Sequence, residues 1–125
     1  MTRLVMADLA LVALLAFGCS QGRDQRQRLG SDNPLDRAEA IVSASQKDDA
    51  RAVPKLVDLL DDPDAAVRMY AISALRRMCG EDFGYHFYEE PRVREVAVER
   101  WREALRSGQL KFQAKSSTGP PAATE

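Results

Sequence analysis

The hexapeptide Val67-Arg68-Met69-Tyr70-Ala71-Ile72 returns 26 residues later as Val93-Arg94-Glu95-Val96-Ala97-Val98, and Arg37, Ala40 and Ile41 stand 31 positions before Arg68, Ala71 and Ile72. Three copies of Arg-x-x-Ala-(Ile/Val) constrain the fold more than any other feature of the chain. A repeat unit this short cannot bury an apolar face by itself, so the copies must stack and bury their faces on one another.

Each copy falls on a stretch with helical periodicity. The first stretch runs from about Leu35 to Ser45, with Pro34 suited to a first turn and Ala38, Ile41 and Val42 on one face. The second runs from about Ala52 to Leu60, where Val53, Leu56, Val57 and Leu60 follow the i, i+3, i+4, i+7 pattern and Pro54 falls in the opening turn. A third starts after Asp64, a good N-cap, and lines up Val67, Ala71, Ile72, Leu75 and Met78 before Gly80 stops it. A fourth follows Pro91 and lines up Val93, Val96, Ala97, Trp101 and Leu105. No stretch alternates with the two-residue period of a strand, so the expected fold is all-α, a short solenoid of stacked antiparallel helix pairs over residues 34–107.

The run Ala52-Val53-Pro54-Lys55-Leu56-Val57-Asp58-Leu59-Leu60-Asp61-Asp62-Pro63-Asp64-Ala65-Ala66-Val67-Arg68, continuing to Leu75, resembles the HEAT repeat family. One full repeat, Ala52 to Met78, fits closely and partial ones flank it. The resemblance implies a structural pair between Asp62 and Arg68 across stacked repeats, interrupted near Arg94 because Tyr88 stands at the aspartate position. It also implies that the connection carrying Phe83, Tyr85, Phe87 and Tyr88 folds back as a cap over the last helix. Solenoids of this kind grip partners with the exposed face of the second helix in each pair. Here that face would hold Met69, Ser73, Arg76 and Arg77.

The N-terminus has another character. Arg3 precedes an unbroken apolar run from Leu9 to Phe17, closing on Gly18 and Cys19. The run is too short to span a bilayer, which takes roughly 20 apolar residues, and fits the apolar core of an export signal over residues 1–18. Leu15-Ala16-Phe17-Gly18-Cys19 resembles the lipobox of bacterial lipoproteins, although Phe17 replaces a small residue and Leu15 lies one place further out than usual. The resemblance implies lipid attachment at Cys19 and a membrane-anchored envelope protein; plain cleavage would give a secreted or periplasmic one. Residues 19–33 hold one large apolar side chain, Leu29, and the composition predicts a disordered spacer. Residues 108–125, with small and polar residues around the pair Pro120-Pro121, predict a disordered tail.

Sites for chemistry are lacking. With Cys19 acylated, Cys79 is the one remaining thiol, expected to pack as a small hydrophobe, and His86 has no orienting partner in its segment. The acidic turn Asp61, Asp62, Asp64 lacks the central glycine and distal glutamate of a calcium loop. Trp101 is spaced as a core residue with Ala97 and Leu105, and the arginines of the last helices alternate with Glu95, Glu99 and Glu103 as on a solvated face. Eighteen basic against nineteen acidic side chains give no field to attract a nucleic acid. The sequence therefore predicts a non-catalytic, cofactor-free protein-binding or scaffold module tethered to the envelope, with association into a homo-oligomer open because so small an array is marginal alone. Alternatives are an accessory or regulatory subunit of an envelope enzyme, related to lyase-type HEAT proteins, and a lipid-tethered spacer.

Overall fold

The computed structural model describes residues 22–113, and among these there are five α-helices and no strand. Helix α1 covers 22–28, α2 Pro34–Gln46, α3 Val53–Asp58, α4 Ala65–Cys79 and α5 Pro91–Arg106. Helix α3 is extended at both ends by 3-10 turns, Ala50–Ala52 and Leu59–Asp61, so the predicted nine-residue helix is a six-residue one with tightened termini.

Local chemistry sets the boundaries. Asn33 caps α2 by accepting from the Leu35 N–H, and Asp64 caps α4 by accepting from the Ala66 and Val67 N–H groups. At the other end of α4, Gly80 takes φ 73°, the left-handed conformation that lets its N–H return to the Arg76 carbonyl. Pro91 opens α5, where its missing N–H would have had no intrahelical partner.

The domain starts earlier than its composition predicts, which corrects the expected spacer over its described part, residues 22–33. Residues 22–28 are helical and Leu29 is 0 % exposed, seated in the same core as Ile41, Leu56 and Leu60. Polar contacts hold α1 antiparallel to α2: Lys47 donates to Gln25 at 2.6 Å near one end, and Arg28 meets Glu39 at 2.9 Å near the other. One fully buried leucine and a set of cross-helix ion pairs replace the apolar stripe that composition would demand.

Helices α1 and α2 thus form a first pair, and α3 and α4 a second. α2 packs along α4, while α5 packs on α3 and the turn Leu59–Asp61. In the third unit the segment 80–90 stands in place of a first helix. Its Tyr85 is wholly buried with its hydroxyl donating to the Leu60 carbonyl, Phe83 meets Trp101 edge-to-face at 4.8 Å, and the Trp101 indole N–H donates to the Asp82 carbonyl at 3.2 Å. The connection does fold back on the last helix, but Tyr88 stays outside as an exposed ring.

The predicted tail is corrected over its first residues. Leu110 packs against the core and the Gln113 N–H donates to the Met78 carbonyl at 2.8 Å. Residues 114–125, like the predicted leader and Cys19, lie outside the described residues.

Candidate protein-binding face

The three repeated arginines do the same work at three places. Arg37 Nη1 donates to the carbonyls of Ser31 and Asp32, Arg68 Nη1 to those of Asp62 and Pro63, and Arg94 Nη1 to that of Glu89. Each side chain folds back to clamp the turn that precedes its own helix. The carboxylate of Asp62 is not the partner of Arg68, which corrects the expected pair: Arg68 takes the Asp62 carbonyl at 2.7 Å, and the carboxylate faces Arg37 of the preceding repeat, 2.8 Å from its Nε. Arg68 in turn reaches forward to the Phe87 carbonyl at 3.0 Å. Carbonyl oxygens substitute for the second aspartate because the irregular segment 80–90 leaves carbonyls free of a helical ladder.

This clamp locks the relative position of α2 and α4, and a shallow groove runs between them. One part, about 200 Å³, is lined by Ile41, Val42, Tyr70, Ser73, Ala74 and Arg77, and it continues past Leu35, Ala38 and Glu39. Most of its lining surface is apolar, although Ser43, Ser45 and Gln46 also line it, and Leu35, Val42 and Tyr70 are 63, 37 and 40 % exposed.

The four residues predicted for a partner face divide. Ser73 and Arg77 line the groove. Arg77 closes its lower end by donating to Ser45 Oγ at 2.9 Å and pairing with Asp48 at 3.4 Å, and Ser73 Oγ donates to its own helix at the Met69 carbonyl. Arg76 lies on the flank towards the segment 80–90, paired with Asp82 at 3.2 Å. The Gly84 N–H, with Arg76 adding a smaller share, holds the Asp82 carboxyl below the usual range. Met69 is part-exposed and lines neither part of the groove.

The groove's main apolar residues were not among the four. Leu35, Ala38 and Val42 stand at i, i+3 and i+7 along α2, a spacing that sequence assigns to the core. Ile41 does go there, at 1 % exposed, while Val42 turns outward one helical step away. Only the placement of α4 decides between the two, and that is tertiary information.

Among the described residues no cluster of His, Cys, Asp and Glu could hold a metal ion, and no helix is long and apolar enough to cross a membrane. Cys79 is buried at the end of α4, where burial pushes its thiol up from the ordinary range and disfavours the thiolate. His86 is stacked on Tyr88 at 5.5 Å.

A match to the sequence pattern of HEAT repeats covers residues 25–103, well over half of the chain. The chain belongs to the HEAT repeat family. Its start at residue 25 agrees with the helix at 22–28 and the buried Leu29 as parts of the first repeat. Neither a curated protein nor a solved structure matches the chain. HEAT repeats are in general protein-interaction and scaffold modules without catalysis of their own.

Proposed function

We propose that this HEAT chain is a non-catalytic adaptor whose α2–α4 groove receives an apolar segment of a partner protein, and that an N-terminal lipid on Cys19 tethers it to the bacterial envelope. The observation that carries the binding part is the groove itself: an apolar strip from Leu35 to Ala74, bordered by Ser73, Arg77 and Glu39, on a domain whose stacked arginines hold its walls rigid. A preformed groove loses little entropy on binding, and apolar side chains of a partner gain from leaving water there. The tether rests on the leader and on the lipobox resemblance around Cys19.

Site-specific photo-crosslinking tests the binding part. A crosslinker at Val42 or Ser73 is expected to give one discrete adduct in the producing cell, and one at Lys55 or Asp58 on the outer helix α3 is expected to give none. Equal labelling from both faces would remove the reading. Membrane fractionation and intact mass of the wild-type chain and its Cys19→Ala variant test the tether: loss of residues 1–18 with an added diacylglycerol, abolished by the substitution, is the expected result.

A further inference from the structure

Cys19 stands three residues before Gly22, where the described part of α1 begins, and three residues reach at most about 11 Å when extended. A lipid on Cys19 would hold the domain by this end, with little room to stand off from the bilayer. The same end holds the end of α2 and the start of α3: Lys47 donates to Gln25 at 2.6 Å and Arg26 pairs with Asp49 at 3.1 Å, while Arg77 at the end of α4 pairs with Asp48 at 3.4 Å.

Charge is divided unevenly between the two ends of the molecule. Near Gly22, Asp48 and Asp49 are each set against an arginine, Lys47 keeps its charge on a neutral partner, and Arg23 and Arg51 are exposed with Asp24 as the opposing acid. Towards α5, where the Trp101 indole meets the Asp82 carbonyl, Glu81 and Asp82 outweigh Arg76, so the basic excess is confined to the side next to Cys19. The opposite end is acidic. There the Arg37–Asp62 pair sets the start of α2 beside the turn before α4, Arg28 meets both Asp36 and Glu39, and Asp32, Asp58 and Asp61 are exposed.

We propose that the end formed by residues 22–26 and 47–51 docks on the anionic phospholipid headgroups of the membrane that the lipid enters, with Arg23, Lys47 and Arg51 as the contacting cations. This docking rests on the Cys19 tether and is independent of the α2–α4 groove having a partner. The field of an anionic bilayer falls off within about 8 to 10 Å, which is close to the reach of the link, so the tether holds these cations where the attraction acts. Repulsion of the acidic end favours the same orientation. The Arg77 end of the groove then lies towards the bilayer and its Leu35 end away from it.

The test uses the full chain purified from bacterial membranes, its Cys19 checked by intact mass, and reconstituted in vesicles of phosphatidylcholine with phosphatidylglycerol that also carry a nickel-chelating lipid. A nitroxide is placed by Ala50→Cys at the basic end or by Asp61→Cys at the acidic end, both exposed positions, while Cys79 is buried. Relaxation by the lipid-borne nickel is expected to be strong at position 50 and weak at position 61, and the contrast is expected to shrink in phosphatidylcholine alone or at high salt. Lys47→Glu with Arg51→Glu, two changes on exposed side chains, is expected to cut the ratio of docked to undocked chain by about tenfold or more with an unchanged circular dichroism spectrum. An acylated chain that relaxes equally at both positions, or whose contrast survives the double reversal, overturns the docking and leaves the tether standing. A Cys19 without lipid removes the tether and the docking together.

Discussion

Arg37 and Asp62 meet across the boundary between the first two repeats, Nε 2.8 Å and Nη2 2.9 Å from the two carboxylate oxygens, with their side chains 11 and 5 % exposed. Asp62 also accepts from the Asp64 N–H at 2.9 Å, so one carboxylate joins the preceding repeat to the turn that starts α4. Removing one member leaves an enclosed charge unpaired. Arg37→Ala is expected to cost about 3 kcal/mol in urea denaturation, and Arg37→Met with Asp62→Asn is expected to cost less than the sum of the two single changes. Additive costs would show that the two residues act independently.

Tyr85 gives the stability a signature at high pH. Burial pushes its phenol up from 10 to about 12, against the smaller opposing pull of Arg68 and Arg94. A folded pKa above the unfolded one means that the contribution is complete below about pH 10 and is lost as pH rises from about 10 towards 12. Tyr85→Phe is expected to lower stability by about 1 to 2 kcal/mol at pH 7, because the Leu60 carbonyl loses its donor, and to flatten the decline above pH 10. Denaturation midpoints at pH 7 and pH 11 for the two proteins check both statements.

Much of the fold was legible because α3, α4 and α5 carry apolar residues at helical spacing, and Asp64, Gly80 and Pro91 mark helix ends by local chemistry alone. What escaped reading depends on contacts distant in sequence. Helix 22–28 shows no apolar stripe, since Gln25 within it and Leu29 just after it are the only buried positions of 22–29, and its other support comes from Asp36, Glu39, Lys47 and Asp49. The repeat revealed that Arg37, Arg68 and Arg94 are equivalent, yet which oxygen each one meets follows from how the units stack. Val42 lies one step from Ile41 on the same helix, and nothing local tells the groove residue from the core residue.

Leu29 is the sharpest consequence of that difference. If residues 22–33 were a spacer, shortening this side chain would change nothing. With Leu29 wholly buried in the common core, Leu29→Ala is expected to cost about 3 kcal/mol and to lower the melting temperature by several degrees. A melting temperature equal to that of the wild type would return the segment to the spacer reading. Leu110, only half-buried, should lose less on the same substitution.

The groove predicts a separation of binding from stability. Val42 and Tyr70 are each more than one-third exposed, so Val42→Asp and Tyr70→Ser remove apolar contact area from the groove while leaving most of the buried core untouched. Each is expected to change stability by less than about 1 kcal/mol, within the range of surface substitutions. Both are expected to abolish the adduct formed by a crosslinker at Ser73, because a carboxylate or a shortened side chain on an apolar wall leaves the partner's own apolar residues uncovered or facing a charge. Arg76→Ala serves as the contrast. Its guanidinium is engaged with Asp82 on the far flank of α4, so the adduct should survive that change. An adduct lost with Arg76 and kept with Val42→Asp would move the binding surface to the flank formed by α4 and the segment 80–90.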